Sequence, residues 1–223
     1  MKHKILLGLT TTEDSDWRGK IKEIKKYGIK DIALFLTGIE KEEREKLYKL
    51  LDDVDIKSIF HVHLRNGMDK QEMDYLVDKY NVQAFNIHPA KDQWAFDGKI
   101  PKRYKKKIYT ENVLLTPEEW EIKNFGGLCI DFAHWESYQN KNIEGYKKFS
   151  KMVNEYKVGC CHISAIKYIN DVPKDFHTFT TRNDFKYLKK YIKYFPEYMS
   201  LELENSFQEQ LKIKKYIEDN ILK

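Results

Sequence analysis

The chain has 223 residues, of which 41% are hydrophobic and 34% charged, and its formal net charge is +5. This composition excludes an intrinsically disordered chain, and the length is that of one domain covering residues 1–223. No apolar stretch approaches the roughly 18 residues of a transmembrane helix, and the apolar run in the N-terminal segment MKHKILLGLT is too short for a signal peptide. We therefore expect a cytoplasmic protein that does not enter membranes, and the sequence predicts no protein partner.

Eight short apolar or β-branched runs follow one another along the chain, and segments with helical periodicity separate them. The predicted strands are residues 4–10, 31–37, 56–64, 82–89, 107–112, 127–134, 158–166 and 198–205. In the first intervening segment, Ile21, Ile24 and Tyr27 fall on one face of a helix. The segment WAFDGKIPKRYKKK contains a glycine and a proline, so its helix is expected to be short or irregular.

Eight strands that alternate with about eight helices predict a compact (β/α)8 barrel, or TIM barrel, with minimal insertions. The alternative fold is an open, doubly wound sheet, which binds its ligands at a switch point between two or three strands. Here imidazoles and carboxylates follow six strands, which favours the closed barrel. Cys129, Cys160 and Cys161 lie within apolar runs and lack C-x-x-C spacing, so we expect core residues without disulfides.

Ionisable side chains lie near the ends of predicted strands three to eight, and in a barrel those ends converge on one mouth. Singly, each is typical of a hydrogen-bonded core residue or an ion pair. Together they predict a metal centre, since a cation stabilises buried carboxylates and neutral imidazoles. The predicted ligands are His63, His88, Glu111, Asp131, His134, His162, Asp175, His177 and Glu204, with His61 and Glu202 placed deeper to support them. Nine nitrogen and oxygen donors suit two or three ions of Zn²⁺, Mn²⁺ or Fe²⁺.

Four motifs resemble the xylose isomerase-like superfamily of TIM barrels, which includes sugar isomerases, sugar epimerases and the endonuclease IV family of apurinic-site nucleases. CIDFAHW is similar to the family's cysteine-x-aspartate-x-x-histidine strand, and NIHPA to its histidine-proline-glycine motif. TEN is similar to the family's glutamate-asparagine pair, and LELEN to its closing strand. The resemblance implies metal-binding roles for His88, Glu111, Asp131, His134 and Glu204.

The segment after predicted strand seven is similar to the endonuclease IV branch. His162 is followed thirteen residues later by Asp175 and then His177, and that branch uses an aspartate-x-histidine pair to hold a third metal ion. With His63, the resemblance implies a trinuclear zinc site that hydrolyses phosphoesters, either DNA with an abasic site, as in DNA repair, or a small phosphorylated substrate. The loop RNGMDKQ lacks the apolar wedge of these nucleases, and TGIEKEER is acidic where a DNA-facing loop is basic.

Three enzymatic hypotheses fit this donor set. In a hydrolase, Glu111 and Glu204 are the predicted catalytic carboxylates, which bridge metals and orient water, while Lys167 and Arg182 are the predicted phosphate contacts. A sugar isomerase or epimerase would act on a sugar substrate and hold one metal ion through four of the same ligands. A multinuclear iron oxidase would use the same ligand types. A non-enzymatic module is disfavoured, because structural zinc sites are closed and four-coordinate.

Overall fold

Eight parallel strands close into a barrel in the structure, a computed structural model that describes residues 3–223, apart from the side chains of residues 139–141. In chain order the barrel strands are β1 (Lys4–Thr10), β2 (Asp31–Phe35), β3 (Ser58–His63), β4 (Ala84–Ile87), β5 (Ile108–Glu111), β6 (Gly127–Asp131), β7 (Val158–Ile163) and β10 (Tyr198–Leu201). Each strand pairs with the next, and β10 closes the barrel between β7 and β1. The predicted (β/α)8 class is confirmed.

Helices follow most of the barrel strands and cover the outside of the barrel. The α-helices are α1 (Trp17–Tyr27), α2 (Lys41–Asp52), α3 (Lys70–Tyr80), α4 (Glu119–Asn124), α5 (Phe132–Lys141), α6 (Ile143–Glu155) and α7 (Phe207–Asn220). One 3-10 helix follows β4, Lys102–Lys107. Two more precede β10, Arg182–Lys190 and Ile192–Tyr194. None of the helices within residues 3–223 is long and apolar enough to cross a membrane.

Seven of the eight barrel strands end earlier than predicted, and β6, β7 and β10 end earlier by three or four residues. β6 stops at Asp131 because the carboxylate of Asp131 accepts a hydrogen bond of 2.7 Å from the backbone N–H of His134 and so caps α5. The sequence placed His134 at the end of a strand, but it lies in the first turn of α5. β7 ends at Ile163 and β10 at Leu201, so the residues that follow them are free to leave the sheet.

A β-hairpin that the sequence did not predict follows β7. It consists of β8 (Ala165–Ile169) and β9 (Val172–Phe176), which pair antiparallel across the two-residue turn Asn170–Asp171. Both turn residues have positive φ, 51° and 61°. This turn matches the twist of a hairpin, and Asn and Asp adopt it at lower cost than other non-glycine residues. The hairpin packs against α5, and β9 carries Asp175.

The main apolar core fills the space between the barrel and its helices. Two smaller clusters lie inside the barrel and contain Phe35, Cys129 and Cys160. All three cysteines are buried and free, as predicted. The interior also holds buried polar side chains near the carboxyl ends of the strands, among them His61 and Asp131. The barrel interior therefore combines an apolar part with an ionisable part, and the ionisable part needs compensating partners.

One ion pair is buried between α2 and α3. Arg44 donates to both carboxylate oxygens of Glu72, at 2.8 and 2.9 Å, and the hydroxyl of Tyr48 donates to the same carboxylate at 3.0 Å. Arg44 also donates to the carbonyl of Gly67 at 3.0 Å. The pair therefore holds the loop after β3 against α2.

We expect Glu72→Gln to lower the free energy of unfolding by about 3 kcal/mol, because the guanidinium of Arg44 would stay buried without its counter-charge. Urea denaturation of the purified chain measures this change. Lys41→Ala is the matched control, since Lys41 pairs with Asp69 at an exposed site between the same two helices, where solvent screens the pair and its loss should have a much smaller effect. Equal effects of the two substitutions would contradict the structural role of the buried pair.

Candidate metal centre

Strand register brings the predicted ligands to neighbouring positions at the mouth of the barrel. His63 on β3 pairs with Asn86 on β4. Asp131 on β6 pairs with His162 on β7, and His162 pairs in turn with Ser200 on β10. Because neighbouring parallel strands place paired residues side by side, the side chains of these strands meet inside the barrel.

The first donor group consists of His63, His88 and Glu111. The Nε2 atom of His63 lies 3.2 Å from Oε2 of Glu111, and the rings of His63 and His88 have their centroids 4.9 Å apart. The Nδ1 atom of His63 donates to the carbonyl of Leu64, and that of His88 to the carboxylate of Asp92, both at 3.0 Å. Metal-binding histidines typically have one ring nitrogen held in this way. The Nε2 atoms of His63 and His88 are therefore the ring nitrogens available to bind a metal ion.

The second donor group consists of Asp131, His162 and Glu202. Nδ1 of His162 lies 2.9 Å from Oε2 of Glu202 and 3.8 Å from Oδ2 of Asp131. Among the described residues, neither ring nitrogen of His162 nor Oδ2 of Asp131 has a hydrogen-bond partner, although all three atoms are buried. Donor atoms that bind one zinc ion at about 2.0–2.1 Å lie roughly 3.3 Å apart. A metal ion shared by His162, Glu202 and Asp131 would therefore explain why their donor atoms lie close together without hydrogen-bond geometry.

Glu111 lies between the first and second groups. Its Oε2 atom faces His63, while its Oε1 atom lies 3.5 Å from Nδ1 of His162. One carboxylate thus presents one oxygen to each group. This is the position of a bridging ligand between two ions.

A third group forms where α5, the hairpin and the following loop meet. Nε2 of His134 lies 3.8 Å from Oδ2 of Asp131 and 3.9 Å from Oδ2 of Asp175. Nε2 of His177 lies 3.7 Å from the same oxygen of Asp175. Oδ1 of Asp175 is buried and has no hydrogen-bond partner among the described residues. The spacing leaves room for an ion, and the two imidazoles are about one quarter exposed, at 24% and 29%.

Eight of the nine predicted ligands fall in these three groups, and Glu202 takes the place that the sequence assigned to Glu204. The hydroxyl of Thr12 donates to the carboxylate of Glu204 at 2.7 Å, and the backbone N–H of Glu204 donates to the carbonyl of His177. The prediction assumed that β10 continues through residue 204. β10 instead ends at Leu201, and of the two glutamates that follow it, Glu202 contacts His162 at 2.9 Å.

A buried hydrogen-bonded chain lies beneath the ligands. His61 contacts the hydroxyl of Ser200 through Nδ1 at 2.9 Å and the amide oxygen of Asn86 through Nε2 at 3.0 Å. The amide nitrogen of Asn86 then donates to Oε2 of Glu111 at 2.5 Å. His61 therefore fixes Asn86, and Asn86 fixes the carboxylate of Glu111. Asn86 is not among the predicted site residues, although a polar residue two positions before His88 in an apolar strand was the available signal.

The predicted phosphate contacts lie on the hairpin after β7 and on the 3-10 helix that follows it. Nζ of Lys167 sits 4.7 Å above the ring of Phe176. Arg182 is exposed and lines a surface groove with Lys186 and Lys212. Within the described part of the chain, no hydrogen bond or ion pair joins Lys167 or Arg182 to the ligands.

The carboxylates raise the proton affinity of the neighbouring imidazoles. Burial lowers the pKa of His162, but Glu111 and Glu202 outweigh it and raise the pKa to about 10. Burial likewise opposes protonation of His134, whose pKa the carboxylates of Asp131 and Asp175 raise to about 9. Without metal ions, protons on these two imidazoles balance the buried carboxylates.

Other groups in the centre respond mainly to burial. Burial raises the pKa of Asp131 to about 7, and it lowers the pKa of His63 to about 4, with Glu111 opposing the shift. Burial also disfavours ionised Glu111, yet the imidazoles of His162, His63 and His88 outweigh it and hold the pKa of Glu111 well below its ordinary value. Glu111 is therefore ionised and His63 neutral at pH 7, which are the forms that bind metal.

We expect Asn86→Ala to weaken zinc binding about 10- to 100-fold, because Glu111 would lose the hydrogen bond that orients it. Competition with a fluorescent zinc chelator measures the affinity. Gln83→Ala is the matched control: Gln83 precedes the same strand and its amide donates to Asn81, so the affinity should not change. Unchanged affinity in Asn86→Ala would contradict the positioning role.

Zinc loading at pH 7.5 should release at least two protons per chain, of which His134 and His162 supply one each. These imidazoles have raised pKa values of about 9 and about 10, and only the neutral form binds metal. Zinc affinity should therefore rise with pH from 7 to about 9, as protons compete less. Calorimetric titration in buffers of different ionisation enthalpy counts the protons, and His134→Ala should release one fewer. Heats that do not depend on the buffer would argue against metal binding by these imidazoles.

Comparison with known proteins found no family model and no curated protein that matches this chain. The donor atoms at the barrel mouth are therefore the features that indicate a function. Their chemistry is mixed imidazole and carboxylate, and the buried atoms without partners fit bound divalent ions.

Proposed function

We propose that the chain is a metal-dependent hydrolase of phosphoesters with two or three divalent ions, of which zinc suits the donors best. The observation that carries this proposal is the position of Glu111, with one oxygen toward His63 and the other toward His162. A bridging carboxylate is typical of sites in which two ions about 3.5–4 Å apart act on one phosphoryl group.

The exposure of the centre supports a catalytic site over a structural one. Structural zinc sites are closed, whereas catalytic sites keep an open position. His134 and His177 are partly exposed, while Glu111, Asp131 and His162 are buried. A substrate would therefore approach over the third donor group and reach ligands that the barrel holds from below.

Each part of the chain has a defined task in this proposal. Ions bound at the three groups would polarise the phosphoryl oxygens and lower the pKa of a nearby water. The chain itself keeps Glu111 ionised through the neighbouring imidazoles and oriented through Asn86. Glu202 takes over the catalytic role predicted for Glu204, since Glu202 is the carboxylate beside His162.

The third donor group favours the hydrolase over a sugar isomerase. A single-metal isomerase needs the second group and Glu111 but leaves His134, Asp175 and His177 without a function. An iron oxidase differs from the hydrolase in its metal and not in its ligand types. For the substrate, the acidic loop after β2 favours a small phosphoester over abasic-site DNA, and both classes enter the test.

The test combines metal content with turnover. We expect about three zinc ions per chain by mass spectrometry, and hydrolysis of bis-p-nitrophenyl phosphate or an abasic-site duplex that slow chelation abolishes and zinc restores. Glu111→Gln should lower kcat by at least about 100-fold, because the bridging carboxylate is lost.

His177→Ala is the control that separates the third group from the bridged pair. It should remove about one zinc ion and leave the other two. One ion per chain together with turnover of a sugar would favour the isomerase, and iron as the native metal would favour the oxidase. A full metal count in His177→Ala would contradict the trinuclear assignment.

A further inference from the structure

Arg65 is a half-buried cation beside the donor groups. It follows the ligand His63 by two residues, on the loop that leaves β3 at the mouth of the barrel. The carboxylates of Glu202, Glu111 and Asp92 are the charges that act on its guanidinium. The N–H of Leu64 still donates to the carbonyl of Asn86 on β4 and its side chain lies in the main apolar core, so Arg65 returns to the face of β3 that carries His63 and the metal ligands.

The guanidinium of Arg65 has no hydrogen bond or ion pair with the residues that the structure describes. Arg18, Arg44 and Arg103 each pair with a carboxylate, and Arg182 is exposed to solvent. Arg65 therefore combines partial burial with five N–H donors that lack a protein partner. Burying such a group is costly unless an anion meets it.

The loop that carries Arg65 is held in place. The backbone N–H of Arg65 contacts the sulfur of Met68 at 3.3 Å. The N–H of Gly67 donates to Asp97 at 3.2 Å, and its carbonyl accepts from the buried Arg44 at 3.0 Å. A residue on a fixed loop loses little conformational freedom when a ligand binds. The loop thus presents Arg65 in a prepared position.

We propose that Arg65 binds a non-bridging phosphoryl oxygen of the substrate beside the metal ligands, so that the substrate is an anionic phosphoester. This inference rests on the proposed hydrolase. The planar guanidinium matches two oxygens of a phosphoryl group and carries a charge at every physiological pH. Lys167, which the sequence suggested for this role, lies over the ring of Phe176, and Arg182 lines an exposed groove, whereas Arg65 leaves β3 two residues after the ligand His63.

A purely structural role for Arg65 makes a different prediction. If the guanidinium served only to balance Glu111 and Glu202, its removal would disturb these ligands and change the number of zinc ions bound. If it binds substrate, its removal takes a positive charge away from the ligands, so zinc binding stays intact or becomes tighter. Zinc affinity and phosphate affinity therefore distinguish the two roles.

The experiment titrates inorganic phosphate into the zinc-loaded full chain by calorimetry. Arg65→Gln should weaken phosphate binding about 10- to 100-fold, as expected for lost hydrogen bonds between charged groups, while the zinc count stays unchanged. Arg65→Lys keeps the charge but loses the paired N–H donors, so its phosphate affinity should lie between those of the unsubstituted chain and Arg65→Gln. Arg103→Gln, which removes an arginine paired with Asp74 on the outer surface, should match the unsubstituted chain.

Each other outcome refutes a defined statement. Phosphate affinity unchanged in Arg65→Gln overturns the role of Arg65 and leaves the hydrolase proposal intact. Loss of zinc in both Arg65→Gln and Arg65→Lys shows a structural role and overturns the inference. Acetate that binds as tightly as phosphate, with the same dependence on Arg65, overturns the phosphoryl assignment in favour of a carboxylate ligand. An unsubstituted chain that binds no zinc overturns the proposed function and this inference together.

Discussion

Concentration of negative charge inside a closed barrel is the constraint on which the structure of this protein depends. Glu111, Asp131 and Glu202 are buried within a few ångströms of His162, and carboxylates in such a place are costly without cations. Protons on His162 and His134 supply positive charge in the metal-free chain. Divalent ions would replace those protons and bind the atoms that now lack partners. Proton binding and the proposed metal binding would therefore balance the same buried negative charge.

Barrel closure converts local strand patterns into this shared site. The first and second groups come from the ends of β3 to β7 and from the residue after β10, which meet because the strands are parallel and closed. The third group is positioned by a helix cap and by a hairpin outside the barrel sheet. Asp131 caps α5 with one carboxylate oxygen and leaves the other free for the centre, and the hairpin after β7 carries Asp175 to the same place.

Support for the site comes from residues outside the nine predicted ligands. Ser200, His61 and Asn86 form a hydrogen-bonded chain that ends on Glu111, and Arg44 secures the loop of Arg65 through Gly67. Such supports hold ligands close to productive geometry, which is what catalytic sites require. The same contacts fix the loop that carries Arg65, whose guanidinium has no hydrogen bond or ion pair among the described residues.

The sequence by itself determined the eight strands, the closed barrel class and most of the residues at the mouth, since periodicity shows which side chains share a strand face. It did not determine where strands end. β10 stops at Leu201, where it pairs with Ile163 of a strand distant in the chain, and this long-range pairing decides between Glu202 and Glu204. The hairpin at Asn170 and Asp171, the chain through Asn86 and the unpaired state of Arg65 also depend on contacts between distant segments. Tertiary structure decided these features because local residue patterns specify faces and spacings, whereas register, burial and pairing arise only when the barrel closes.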